Sequence, residues 1–396
     1  MRILYHHRTQ MGDAQGIHIQ EMVNAFSALG HDVRLFSLVG QEQNNGRRRF
    51  LGALARIAPA FLYELLALSY NAMSYHRIRR LMQRYRPDFI YERYSLFSFG
   101  GVLAARQTGI PLCLEVNAPL FFEHQKYGRL VLRSIARRIE NWVCNNSNIT
   151  IAVSSVLRDI LVDQGVRPSR IVMMPNGINP GTFLGGIDGE PVKEKLGIEK
   201  RRVVIGVVGW FREWHGLDLL IDSLWQAGLF AGNGISVLLV GDGPALPFCR
   251  EQAKTLGVEP SIVFTGAVPR DQIPGHIAAI DIAVQPRVTA YACPMKVIEY
   301  LAMGKAIVAP RQPNIMDLLE HGKNALLFQP EDGRDLACQI KILIEDAPMR
   351  HGLAHNALRT VEEKGLNWMA NGRRVVEMML PFCKARGQEG DGKYQS

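Results

Sequence analysis

A proline, a lysine and a glutamate stand close together in the segment Tyr291–Lys305, YACPMKVIEYLAMGK. Pro294 suits the first turn of a helix, because it lacks the amide hydrogen that would go unpaired there. The amides of Met295, Lys296 and Val297 would then point out of the helix start, where the helix dipole favours an anion. Lys296 adds a mobile positive charge at the same place. Glu299 follows about one turn later on the same face, and a carboxylate there can accept hydrogen bonds from the two hydroxyls of a ribose. The chemistry on offer is capture of a phosphate-bearing group. An ordinary amphipathic helix with an i,i+3 ion pair fits the same residues.

The elements that must position this segment alternate between strand and helix. In the first half, strands are expected at 2–5, 31–38, 88–91, 111–116, 148–153 and 171–174. Helices are expected at 17–29 and 98–108, with Ser154-Ser155 capping another. The stretch 176–200 is dense in Gly and Pro and reads as a boundary. The pattern then restarts, with strands at 203–208, 235–240, 262–264, 280–285, 307–309 and 325–328. Helices are expected at 216–227, 245–256, 295–303 and 335–345. Such alternation predicts an α/β protein of two doubly wound, Rossmann-like units with parallel sheets. Ligands in such sheets sit outside the carboxyl ends of the strands, so a central cleft between the units is expected. The expected domains are 1–178, 179–365, a C-terminal helix at 366–386 returning to the first domain, and a disordered tail at 387–396.

The chain has 396 residues, 47% hydrophobic and 21% charged, a globular profile. Six scattered cysteines show no CxxC spacing, so buried free thiols in a reducing cytosol are expected rather than a zinc ribbon or redox pair. The start, MRILYHH, runs into a strand with no signal-peptide pattern. The apolar run 50–75 is interrupted by Arg56 and Glu64 and reads as one or two amphipathic helices started or kinked at Pro59. Residues 1–180 hold 22 Lys and Arg against 12 Asp and Glu, whereas the remainder holds 24 against 25. The whole excess of +9 thus lies in the first half, at Arg47–Arg49, around Arg77–Arg86 and around Arg129–Arg138. A solvated surface accounts for it, and so does attraction to an anionic membrane face or a polyanionic acceptor. No nucleic-acid module accompanies these clusters.

The segment 291–305 resembles the signature of the retaining glycosyltransferases of family 4, which have the GT-B fold. Glu299 matches the second of that signature's two glutamates, and GKAIVA matches its small-residue turn, with Ala306 in place of proline. Tyr291 replaces the first glutamate, and the chain looks like a subset with a P-x-K-x-x-E-Y pattern. The resemblance implies that Glu299 binds ribose. It also implies that Tyr291, Pro294, Met295, Lys296 and Val297 surround the donor sugar and its phosphates. VVGWFREWHGLDLLIDSL (Val207–Leu224) resembles the loop in which relatives hold an arginine and a lysine against the leaving diphosphate. Trp210 and His215 occupy those two positions here, so Arg212 between them is expected to supply the fixed charge. His215 is expected to donate if bound phosphates raise its pKa. Loop packing suits Trp210 and Trp214 better than base stacking.

LLVGDGP places Gly241 and Gly243 where the family's backbone approaches the nucleotide, and FTGAVP lies near its base. Arg287 is a possible phosphate ligand or a plain surface charge. In the first half, Gly12 and Gly16 follow strand one, and Gly16 is favoured for approach to the donor phosphate. His18 reads as helix packing. PLCLEVNAP ends where relatives often hold a histidine, and Asn117 stands there instead, suited to bind a sugar hydroxyl. Glu115 can face either side of its strand. His124, His6 and His7 are lesser candidates.

The expected activity is cytoplasmic, metal-independent retaining transfer from a nucleoside-diphosphate sugar to a glycan or lipid-linked acceptor. No cofactor is expected, and the basic first half points to the inner membrane face as a place of action. A GT-B sugar-nucleotide epimerase and a non-catalytic sugar-nucleotide-binding protein are the alternatives. A dinucleotide dehydrogenase is disfavoured by the missing GxGxxG turn after strand one.

Overall fold

The structure is a computed structural model that describes residues 1–9, 14–37, 60–128, 130–183, 185–231 and 234–391. Gly12, Arg47–Arg49, Arg56, Pro59, Arg129 and the last tail residues lie outside the described residues. The chain forms two compact units. One runs from Met1 to Pro175 and takes in the segment from Trp368 onward; the other is Asn176–Asn367.

The first unit holds a six-stranded parallel sheet: β1 (Arg2–His7), β2 (Asp32–Ser37), β3 (Phe89–Arg93), β4 (Leu112–Val116), β5 (Ile149–Ala152) and β6 (Ile171–Met173), in the order β2-β1-β3-β4-β5-β6. The second holds β7 (Val203–Val208), β8 (Ile235–Val240), β9 (Ile262–Phe264), β10 (Ile282–Val284), β11 (Ala306–Pro310) and β12 (Leu326–Phe328), in the order β12-β11-β10-β7-β8-β9. Each is a Rossmann-like domain. Sheets covered on both faces need strands apolar on both faces, and β3, β4, β8 and β11 are buried at every position. The strand order changes direction between β1 and β3 in one sheet and between β7 and β10 in the other. Those are the switch points where loops diverge and leave room for a ligand.

Caps follow the local chemistry. The Ser154 hydroxyl accepts from the Leu157 amide at 3.1 Å, and Gly109 closes the helix Gly100–Thr108 in the left-handed region. Several expectations are corrected. The first helix is Ala14–Ala28, so Gly16 lies inside its first turn rather than ahead of it. Residues 60–85 form a single helix, Ala60–Tyr85, which carries the basic run around Arg80. Helices Leu120–Tyr127 and Arg133–Asn146 stand where only a basic stretch was read. The boundary segment includes a short helix, Glu190–Lys195. The C-terminal helix, Trp368–Asp391, packs along helix Ala14–Ala28 and runs into the segment expected to be disordered. Of the free cysteines, Cys113, Cys144, Cys249 and Cys293 are buried, whereas Cys338 is exposed.

Candidate functional site

In the second unit the helix Met295–Ala302 is fixed at the end of β7 by one side chain. The Val208 amide donates to the fully buried Tyr300 hydroxyl at 2.9 Å. One turn earlier, this pin sets Lys296 against Gly209, the first residue after β7. A Cβ on Gly209 would lie 3.1 Å from Lys296 Nζ, and its φ of +147° is one that a side chain would strain. Lys296 and Glu299 are each partly exposed as residues, but the Lys296 ammonium itself is closed from solvent and has no hydrogen-bond partner. Burial lowers its pKa to about 8 against the opposing pull of Glu299. Burial likewise raises the Glu299 carboxyl, opposed by Arg270 and Lys296.

His215 ends the short turn Glu213–His215, and its Nδ1 accepts from the Arg212 amide at 3.2 Å. Burial, then Lys296, then Arg212 lower its pKa to about 4. The free protein therefore holds a neutral imidazole between two cations, and only a bound anion would raise it. The Pro294-side loop is clamped from two directions. Asn176 Nδ2 donates to the Cys293 carbonyl at 2.9 Å, and Asn314 Nδ2 to the Ala292 carbonyl at 2.8 Å. Pro294 is the N-cap. The Val297 amide, expected to be free, donates to the Pro294 carbonyl at 3.1 Å, because the first turn closes on itself. That leaves Met295 and Lys296 to offer amides. Tyr291 is buried.

In the first unit the β1/β3 switch point is lined by a buried polar network. Arg93 NH1 donates to Glu115 Oε1 at 2.7 Å and approaches His18 Nδ1 at 3.1 Å. Arginine only donates, so Nδ1 must accept and Nε2 carries the proton. That proton points to Glu115 Oε1 at 3.3 Å. Tyr91 donates to the other carboxylate oxygen at 2.8 Å, and the Asn117 amide donates to Oε1. Burial alone would raise the Glu115 pKa; His18, Arg93 and the Asn117 and Tyr91 hydrogen bonds together hold it below the usual carboxylate range. Burial lowers His18 to about 4. The His18 ring lies against Trp368, centroids 4.5 Å apart. His18 is thus a network member as well as a packing residue, Glu115 faces the interior, and Asn117 keeps its oxygen and one amide hydrogen for another partner. His6 and His7 are buried on β1, and His124 is exposed.

Residues 202–346 match the sequence profile described as Glycosyl transferases group 1, and residues 15–182 match Glycosyltransferase Family 4. The chain belongs to the family 4 glycosyltransferases. It is 24% identical over 80% of its length to the GDP-mannose-dependent alpha-mannosyltransferase of Corynebacterium glutamicum, spanning 73% of that protein. It is 23% identical over 89% of its length to the alpha-monoglucosyldiacylglycerol synthase of Streptococcus pneumoniae, spanning 78% of it. Its fold matches the crystal structure of Anabaena HepE in complex with UDP, with a TM-score of 0.74 and 19% identity over 96% of this chain and all of the other. The fold is GT-B.

In this glycosyltransferase the glycine turn after β8 has a structural duty that the sequence did not reveal. A Cβ on Gly241 would meet the Gly209 carbonyl oxygen at 2.0 Å, and one on Gly243 the Phe211 carbonyl oxygen at 2.2 Å. Both glycines let the loop after β8 close on the loop after β7; close approach to a nucleotide is a separate matter. Arg287 donates to Asp218 and Glu331, so its charge is already paired. Trp210 and Trp214 are 57% and 53% exposed, against the expectation of loop packing. Arg212 lies over the Trp214 ring, 5.0 Å from its centroid. Sequence reasoning missed Gly209, Asn176 and Arg93, of which Arg93, a charge ending the strand DFIYER, left a readable mark. Tyr300 was legible as the last residue of the P-x-K-x-x-E-Y pattern, but its bond to the Val208 amide was not. Among the described residues no group of three or more His, Cys, Asp or Glu is placed to hold a metal ion.

Proposed function

We propose that the chain is a retaining hexosyl- or N-acetylhexosaminyl-transferase of the P-x-K-x-x-E-Y subset. It moves a sugar from a nucleoside-diphosphate donor to a glycan or lipid-linked acceptor in cell-surface polysaccharide or glycolipid synthesis. The observation that carries this reading is the Lys296 ammonium, enclosed and without a hydrogen-bond partner beside a glycine that leaves room in front of it. An uncompensated ammonium in such a place is costly, and a diphosphate would compensate it. Lys296, Arg212 and the amides of Met295 and Lys296 then stabilise the charge that the leaving diphosphate gains. The departing phosphate takes the acceptor's proton, with no cofactor or divalent ion, so EDTA leaves the rate unchanged. Glu299 binds ribose, Tyr291 lies by the donor sugar, and His215 donates once phosphate is bound. Gly16 and Asn117 face donor and acceptor from the first unit's switch point. A relative named for GDP-mannose and a like-folded protein holding UDP both support a nucleotide donor.

The test is a thermal-shift series with UDP-, GDP- and ADP-sugars, since a ligand of the native state raises its stability. One class should stabilise the chain and fail to stabilise Lys296→Ala; no shift with any class ends the reading. Incubation of the binding donor without acceptor separates the rivals. Epimerised donor marks an epimerase, and binding with neither hydrolysis nor transfer marks a binding protein.

We further infer a peripheral site of action on the inner membrane face. Helix Ala60–Tyr85 supports it: Phe61, Leu62, Tyr63, Leu65 and Leu66 are exposed. Glu64 alone in that run turns inward, where its carboxylate accepts the Val131 and Leu132 amides at 2.7 and 2.6 Å. Exposed Arg77, Arg79, Arg80 and Arg84 follow. An apolar patch beside basic residues suits an anionic lipid surface.

A further inference from the structure

The loop after β7 exposes more aromatic surface than folding requires. Trp210 is 57% and Trp214 53% exposed, two large indoles on one short loop. The loop is nevertheless anchored. Phe211, between them in sequence, is fully buried in the core of the unit. Its amide donates to the Asp242 carbonyl at 2.7 Å and its carbonyl accepts from Ala245 at 3.2 Å. The His215 amide then closes the turn on the Arg212 carbonyl at 2.9 Å. Gly216, at φ +72°, lies under the Arg287 side chain, which Asp218 and Glu331 hold. Both indoles are therefore presented outward from a backbone pinned on each side, a preorganised arrangement that costs little ordering on binding.

The neighbours of the indoles are polar. Arg212 lies against the Trp214 ring, and Glu213 is exposed beside it. A protein interface of useful size needs a wider apolar patch. A pyranose ring needs less: one flat C–H face for an indole, and hydrogen-bond donors or acceptors for the hydroxyls at its rim. Arg212 and Glu213 supply both kinds. The same loop carries His215, whose ring stands edge-on to Trp214 with centroids 6.2 Å apart, and His215 is the neighbour of Lys296. The aromatic surface thus begins beside the place where the diphosphate is proposed to leave. The base has a separate candidate wall at the end of β9, where Phe264 is already covered by Arg250, 4.2 Å from its centroid.

We propose that Trp210 and Trp214 form a stacking platform for pyranose rings of an oligosaccharide acceptor. The proposal rests on the transferase reading and deepens it: the acceptor is a glycan long enough to reach beyond the reacting sugar.

Tryptophan fluorescence of the full chain is titrated with maltohexaose, cellohexaose and mannohexaose, and separately with UDP, GDP and ADP. A hexasaccharide should change the emission and the three nucleotides should not change it through these residues. Trp210→Ala and Trp214→Ala should each weaken saccharide binding about three- to tenfold, the range for one aromatic contact. Trp214→Phe should keep most of the saccharide affinity, and all variants should keep the parent's melting temperature. No response to any hexasaccharide at tens of millimolar overturns the platform, and so does a nucleotide response that Trp210→Ala or Trp214→Ala abolishes. The nucleotide arm keeps the two readings apart. Nucleotide binding without saccharide binding sinks the platform and leaves the transferase standing. Saccharide binding without nucleotide binding sinks the transferase and leaves the platform.

Discussion

The Lys296 ammonium titrates in a range open to experiment. With its pKa lowered to about 8 by burial, it is charged at neutral pH and loses its proton as pH rises through 8. A bound diphosphate would hold the proton on. Donor affinity should therefore be full below pH 8 and fall by up to about tenfold per pH unit above it, by linkage. Isothermal titration from pH 7 to 9.5 checks this, and Lys296→Ala should bind weakly with no such slope. His18 makes a different prediction. Its pKa of about 4 in the folded state lies below the unfolded value. Between pH 6.5 and 4 the unfolded chain binds the extra proton, so stability falls as pH falls through that window. The loss attributable to this one buried ring is on the order of 3 kcal/mol. Denaturant unfolding of the parent and of His18→Gln at pH 7 and 4.5 should show a shallower acid loss in the variant. Glu115, held low instead, contributes stability that is lost as pH falls below the ordinary carboxylate range. At this scale the sequence showed Lys296 and Glu299 as a pair. It did not show that Arg93 and Tyr91 on one strand and Glu115 on the next would complete the His18 network, because cross-strand register joins them.

At the scale of elements, two loops and one helix build the second-unit site. The loop after β8 can approach the loop after β7 only because Gly241, at φ +129°, has no side chain to strike the Gly209 carbonyl. Gly241→Ala should push the loops apart, destabilise the unit by about 2 kcal/mol or more, and weaken donor binding together with stability. A melting curve and a donor titration on the same sample test it; a stable variant with unchanged affinity would remove this role. The GxG spelling was legible in the sequence, but its duty was not, since the partner carbonyls belong to another loop. The helix after Pro294 was placed to within a residue by its proline and its glycine stop. The helix Arg133–Asn146 was missed because its basic face hid the periodic positions Ala136, Glu140 and Val143 that it buries.

At the scale of the whole molecule, the charge asymmetry and the exposed apolar run on helix Ala60–Tyr85 belong together. No helix among the described residues is long and apolar enough to cross a membrane. The protein should float with vesicles containing anionic lipid, less so at high salt because screening weakens the arginines. A Phe61→Ser, Leu66→Ser variant should stay behind, and equal binding to neutral vesicles would refute the electrostatic part. By itself the sequence determined the number and place of the strands, the α/β class and the restart near residue 176. Apolar runs, glycines, prolines and caps are local signals that survive in one dimension. The tertiary structure decided which strands neighbour one another and so where the switch points lie. It also turned Trp210 and Trp214 outward and Glu115 inward, and left Lys296 enclosed without a partner. Those facts depend on contacts between residues far apart in the chain, and on which face of each strand its neighbours cover. The segment Tyr291–Lys305 shows the division well: its residues suggested an anion site, and Val208 and Gly209, distant in sequence, gave it a position.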